Sequence, residues 1–230
     1  MTKDLYWRPD SDREEWAKKV LREALAAPDV VDRMADYYRI DSNYAGSLLT
    51  DLQPNEPDAI TPVDLLATST LSVDIPVAAI RRFLDPGKSS ELRVRLQVLP
   101  TDLRLEGVEE GSGVPERMAA LYDHVKHMLR RANAATANPW VTASKLVARK
   151  RPLLFPVRDS VVTGVLGLSA TYPEDWPTYR AMVRDAELMK RLDEVVQQAA
   201  ARDGVTSLDP DLRLRHLDVV VWQWGTTRGS

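Results

Sequence analysis

From Lys126 to Arg158 the chain carries eight cations, Lys126, Arg130, Arg131, Lys145, Arg149, Lys150, Arg151 and Arg158, without a single Asp or Glu. Such a segment cannot neutralise itself. Its fold must bring those charges to phosphate, to solvent, or to acids drawn from elsewhere in the chain. The whole protein has a formal net charge of -3, so charge is segregated along the sequence and the protein is not a generally basic one. Asp159 closes the run and is the carboxylate placed beside whatever the cations attract.

A chain of 230 residues is long enough to bury a substantial core in one domain. With 44% hydrophobic and 28% charged residues it reads as an ordinary soluble globular protein. The absence of cysteine excludes disulfides, thiolate metal sites and cysteine nucleophiles, and suits a reducing compartment. Met1-Thr2-Lys3-Asp4 lacks the apolar core of a secretion signal, and no run approaches the roughly 18 apolar residues of a membrane span. A cytoplasmic location without a membrane partner is the expectation.

Helix signals recur along the chain. Residues 12–27 begin at Asp12 or Ser11, end at Pro28, and place Trp16, Val20 and Ala24 on one face. A second helix is predicted over 28–38, then a polar loop through Tyr44-Ala45-Gly46 to Pro57. Thr61-Pro62-Val63-Asp64 supplies a cap, a proline at the first helical position and an early acid for a helix reaching Leu71. Residues 76–84 form another. In 92–98 Leu and Val alternate with Arg and Gln, a strand period, yet Leu92, Leu96 and Leu99 also fit a helix. With no strand partner in sight the helix is the better reading. The glycine-rich acidic turn 106–115 is the candidate internal boundary. Further helices are predicted over 115–133, 141–150, 160–168 and 175–201, and a last one from Asp209-Pro210, whose Leu214, Leu217, Val221 and Trp224 form an apolar stripe. The fold class is therefore all-α, with 1–230 as a single domain and an N-terminal helical extension.

Four stretches carry a resemblance: residues 140–162, Tyr44-Ala45-Gly46, Asp64-Leu65-Leu66-Ala67, and Leu217-Asp218-Val219-Val220-Val221-Trp222. Together they resemble an actinobacterial family of unknown function. The central stretch is also similar, more distantly, to the helix-hairpin-helix DNA glycosylases of the endonuclease III superfamily, through Thr142-Ala143 and Val157-Arg158-Asp159. That likeness covers some 20 residues and implies a glycosylase-like helical scaffold with Asp159 at the catalytic-acid position. It also implies departures. The hairpin glycines that let backbone amides approach a DNA phosphate are replaced by Ala137-Asn138-Pro139-Trp140. Val141 stands where bifunctional members place a Schiff-base lysine, and the four cysteines of the iron–sulfur cluster are missing, so no cofactor is expected. What the resemblance leaves is a monofunctional route in which the aspartate stabilises an oxocarbenium ion and helps water attack.

Asp159 also reads as a plain helix N-cap, and the two roles are compatible. Thr142, Lys145 and Arg149 share one helical face, which with Lys150 and Arg151 is either a solvated surface or a set of phosphate ligands. His124 and His127 are a surface pair without a third metal ligand, and His216 and Asp218, two residues apart, do not face each other. Gly164 and Gly167 point to close helix packing, while Tyr37, Tyr38 and Tyr44 are core or loop anchors that could also stack on a base. No phosphate loop, dinucleotide fingerprint or nucleophile elbow is present. Two functions follow. In one the protein binds nucleic acid, with DNA on the 126–158 segment and base excision as candidate activity, Asp159 catalysing while Thr142, Lys145, Arg149, Lys150 and Arg151 hold phosphates. In the other it is a non-catalytic relative that binds a protein partner, its cations solvated or paired with the chain's own acids.

Overall fold

The structure is a computed structural model that describes residues 6–130, 139–169 and 171–228. Among these the regular elements are helices. In order they are α1 (Ser11–Leu25), α2 (Val30–Tyr38), α3 (Leu48–Asp51), α4 (Pro62–Ser69), α5 (Val77–Leu84), α6 (Pro86–Gln97), α7 (Val114–Leu129), α8 (Trp140–Lys150), α9 (Ser160–Val165), α10 (Asp175–Val183), α11 (Ala186–Ala200) and α12 (Arg213–Arg228). A single antiparallel bridge, Arg39 to Val205, is the only β pairing among the described residues. The 92–98 stretch is helical despite its alternation: Leu92, Leu96 and Leu99 are buried, while Val94 and Val98 stand in solvent.

The chain forms two compact units. One comprises the described residues up to Ser47, Arg104–Val108, and those from Asp159 onward; the other comprises Leu48–Leu103 and the described part of Glu109–Arg158. In the first, α1 packs on α10, α11 and α12, α2 packs on α11 and α12, and α9 lies against α12. In the second, α8 packs on α7 and α4, and α6 packs on α5 and α7.

Side-chain caps set the starts of α1, α4, α6, α9 and α11. Thr61 and Asp64 form a reciprocal capping box at α4, with Pro62 in its first turn. Asp10, not Asp12 or Ser11, caps α1 by accepting the Arg13 N–H at 3.1 Å. Trp16 departs from the expected buried face: Val20 and Ala24 are buried, but Trp16 is half exposed and donates its indole N–H to the Val165 carbonyl at 3.1 Å. The segment expected as a loop between Tyr44 and Pro57 contains the short α3. The long helix expected over 175–201 is two helices. Asp185 turns extended between them and caps α11 by accepting the Leu188 N–H at 3.1 Å. Periodicity could not reveal the break, because Trp176, Tyr179, Val183, Met189 and Leu192 are all buried and the apolar pattern runs through it.

Close packing falls on a different glycine from those expected. A Cβ on Gly164 would meet nothing within 4 Å, and Gly167, at φ +65°, serves a turn. At Gly225 on α12 a Cβ would come within 2.6 Å of Val161 Cγ1 and 2.7 Å of Val165 Cγ2 on α9. Gly225→Ala should therefore destabilise the protein by about 1–3 kcal/mol through overpacking. Urea denaturation checks this, with Val161→Ala in the same chain recovering part of the loss.

Candidate functional site

The cations of α8 point inward. Thr142, Lys145, Arg149 and Lys150 are buried, as is Arg151 just beyond the helix, so the face that sequence reads as solvated or phosphate-binding is a face of the core. Burying a charge is tolerable only where it is paired and hydrogen-bonded, and each of these finds protein partners. Arg149 donates from Nε to Asp64 Oδ1 at 2.6 Å, from Nη1 to the Leu49 carbonyl at 2.6 Å and from Nη2 to the Leu52 carbonyl at 2.6 Å. Lys150 Nζ donates to Asp64 Oδ2 at 2.8 Å and to Asn55 Oδ1 at 2.7 Å. Arg151 donates to Asp58 Oδ1 at 2.9 Å and to the carbonyls of Leu96 at 2.7 Å, Pro57 at 2.7 Å and Leu99. Lys145 Nζ donates to the Leu71 carbonyl at 2.8 Å.

These acceptors share an origin. Leu49 lies in the four-residue α3 and Leu52 just past it, Leu71 follows α4, and Leu96 and Leu99 lie at the end of α6 and just beyond it, so the cations meet backbone carbonyls at or just past helix C-termini, towards the negative end of the dipole. One helix thus closes the ends of three others. A run without acids needs few acids when its counter-groups are carbonyls. Phosphate binding by Arg149, Lys150 and Arg151, the sequence-based expectation, meets side chains already committed to internal acceptors.

Two carboxylates supply counter-charge, Asp58 to Arg151 and the fully buried Asp64 to Arg149 and Lys150. Asp64 Oδ2 accepts the Thr61 N–H at 2.7 Å in the capping box and also the Lys150 ammonium, while Oδ1 takes Arg149. Burial pushes the Lys150 ammonium below its ordinary value; the hydrogen bond and charge of Asp64 oppose this, and the neighbouring Arg149 and Arg151 add to it. The sequence marks Asp64 as an early acid of its helix and as the start of the Asp64-Leu65-Leu66-Ala67 stretch, and neither signal names its cationic partners. Asp58 and Asn55 carried no signal at all, since nothing local marks a polar loop residue as a partner for a distant cation.

Beyond α8 the chain is held by Ser144, whose hydroxyl accepts the Arg158 N–H at 2.9 Å and donates to the Arg158 carbonyl at 3.2 Å, while Leu154, Phe155 and Val157 are buried. Arg158 is also buried, its guanidinium 4.5 Å from the centre of the Trp140 ring. The expected hairpin position lies partly at 137 and 138, and Arg131 and the first five residues likewise fall outside the described residues.

Asp159 caps α9: Oδ1 accepts the Val161 N–H at 2.9 Å, and the side chain is partly exposed. In the same unit Tyr44, half exposed, stacks on Tyr37 with ring centres 5.3 Å apart, and Trp222 meets both rings edge-on. Arg215 links this group to Asp218 at 2.6 Å and donates to the Tyr37 hydroxyl. Burial raises the Tyr37 phenol above its ordinary value, opposed by Arg215 and reinforced by Asp218 and Asp159. Asp218 thus pairs with Arg215 rather than with His216. Buried His216 meets the Tyr38 hydroxyl at 3.1 Å and the Asp209 carbonyl at 2.7 Å. His124 faces Glu91 of α6 across 3.8 Å, an acid invisible from the sequence near it. Among the described residues no three His, Asp or Glu side chains gather to hold a metal, and no helix is long and apolar enough to cross a membrane.

The geometry defines an all-α protein, one unit of which is organised around an internal cationic helix. The chain belongs to the family of unknown function DUF6308, whose model matches residues 30–225. No curated protein and no solved structure matches the chain. The family match takes in Tyr44, Asp64, residues 140–162 and Trp222, so each motif that carried the resemblance lies within it. The structure joins these motifs in pairs: Asp64 meets Arg149 and Lys150, and Tyr44 meets Trp222.

Two outcomes follow. Asp64→Asn keeps the side-chain size but leaves two buried cations without a counter-charge, and should cost about 3–5 kcal/mol, read as a lowered melting temperature. His216 is pushed down to about 4, first by burial, with the Asp209 hydrogen bond opposing. Its unfolded value is near 6.5, so the unfolded chain binds the extra proton first. The stability that neutral His216 contributes is complete above that value and is lost as pH falls towards 4. Denaturation midpoints at neutral pH and near pH 5 should differ more for the wild type than for His216→Gln.

Proposed function

We propose that the protein is a non-catalytic binding module for a protein partner. The observation that carries this reading is the placement of polarity. Lys145, Arg149, Lys150 and Arg151, the cations that suggest phosphate binding in the sequence, are buried on internal acceptors, while large apolar side chains, Ile40, Val77, Leu66 and Val94 among them, stand in solvent at 78%, 65%, 59% and 59% exposure. A nucleic-acid surface needs the opposite arrangement, with exposed cations free to displace counterions from phosphate. Exposed apolar groups suit a surface that another protein covers.

A second reading, a monofunctional base-excision enzyme, draws on one observation. Asp159, at the position where the glycosylase likeness puts the catalytic carboxylate, is partly exposed, and its charge reaches Tyr37. The readings separate experimentally. For a partner-binding module, single- and double-stranded DNA and RNA should show no salt-sensitive binding at about 50 mM salt, the low end of the usual range. Damaged and mismatched duplexes should release no base when alkali is added after incubation. Asp159→Asn should change stability little, because Asn caps about as well as Asp. Base release by the wild type that collapses in Asp159→Asn, with nucleic-acid binding retained, would establish the enzyme instead.

A further inference from the structure

The alternation in α6 has an outcome that its packing does not explain. Leu92 and Leu96 turn inward, which leaves Val94 and Val98, one helical turn apart, 59% and 47% exposed on the outer side. Valine is no better a helix former than the polar residues that could replace it there, so the pair does nothing for α6 itself. Beside it, α7 presents Arg117 and Ala120. These residues, with Glu91 and Arg95, line a groove of about 340 Å³, with room for inserted side chains rather than for a whole helix.

Charge around the groove is unbalanced. Arg95 is paired with Glu91 at 2.5 Å, whereas Arg117 is exposed and no acid pairs with it among the described residues. An apolar floor of Val94, Val98 and Ala120 under an excess cation complements aliphatic side chains flanked by carboxylate. We infer that the α6–α7 groove docks an acidic amphipathic segment of another protein, whose aliphatic residues seat on Val94, Val98 and Ala120 and whose carboxylate meets Arg117. This inference rests on the partner-binding reading and gives that partner its chemistry.

The test uses the full chain, isotopically labelled, titrated with a short synthetic helical peptide that carries leucines at i and i+4 with glutamates beside them. A peptide with lysine in place of every glutamate is titrated in parallel. The acidic peptide should shift the backbone amides of α6 and of the first half of α7, and the lysine peptide should not. Val98→Glu and Arg117→Glu, both exposed, should keep the wild-type melting temperature and weaken the acidic peptide about tenfold, from lost apolar contact in one case and charge repulsion in the other. Equal response to both peptides, no response to either, or shifts that grow with protein concentration before any peptide is added would each overturn the groove assignment. Shifts confined to another surface would overturn it while leaving the binding-module reading standing. Salt-sensitive binding of an oligonucleotide in the same titration series would remove that reading too.

Discussion

Asp64 accepts from Arg149 and Lys150 inside the protein, and much of its unit is arranged by that contact. The three side chains are fully enclosed or nearly so. In such surroundings an unpaired charge is far costlier than in water, and paired charges fix one another's positions closely. Because the same carboxylate completes the Thr61 capping box, the start of α4 and the end of α8 are tied to one group. Arg149 then reaches the end of α3, and Arg151, next along the chain, reaches the end of α6. A buried ion pair adds little net stability compared with well-packed apolar residues. Its contribution here is placement, since removing one partner leaves the other exposed to the full cost of burial.

The same arrangement explains how a segment without acids folds inside a protein. Helix C-termini present carbonyls that no intrahelical donor reaches, and a guanidinium carries five N–H donors in a fixed plane. One arginine can therefore serve two helix ends or a helix end and a carboxylate. The theme recurs outside α8, where Arg82 of α5 donates to the His127 carbonyl at 3.2 Å and to that of Arg130, at the end of α7. The consequence is subtraction: cations held this way are withdrawn from the surface.

The other unit, which holds α1, α2 and α9 to α12, is built by a different interaction. There Tyr37, Tyr44 and Trp222 make ring contacts, and Arg215 ties Tyr37 to Asp218 beneath them. The close approach of α9 to α12, which only a residue without a side chain allows at Gly225, brings the helix capped by Asp159 against the helix that carries Arg215 and Trp222. Asp159 is thus placed by packing as much as by its own capping bond.

The sequence by itself determined the helical class and most helix starts, because caps, prolines and 3.6-residue periodicity are local properties of neighbouring residues. The Thr61-Pro62-Val63-Asp64 start is a clear example, and Asp159 as the cap of α9 is another. Locality also set the limit. Periodicity ran unbroken across Asp185 and concealed the boundary between α10 and α11, and Gly225 looked no different from Gly164 until α9 was laid against it. Whether Arg149, Lys150 and Arg151 face water or core depends on the carbonyls of Leu49, Leu52, Leu96 and Leu99 and on Asp58 and Asp64, all roughly fifty to a hundred positions away. Only the tertiary structure decided that, because a charge has no inside or outside until its partners are brought to it.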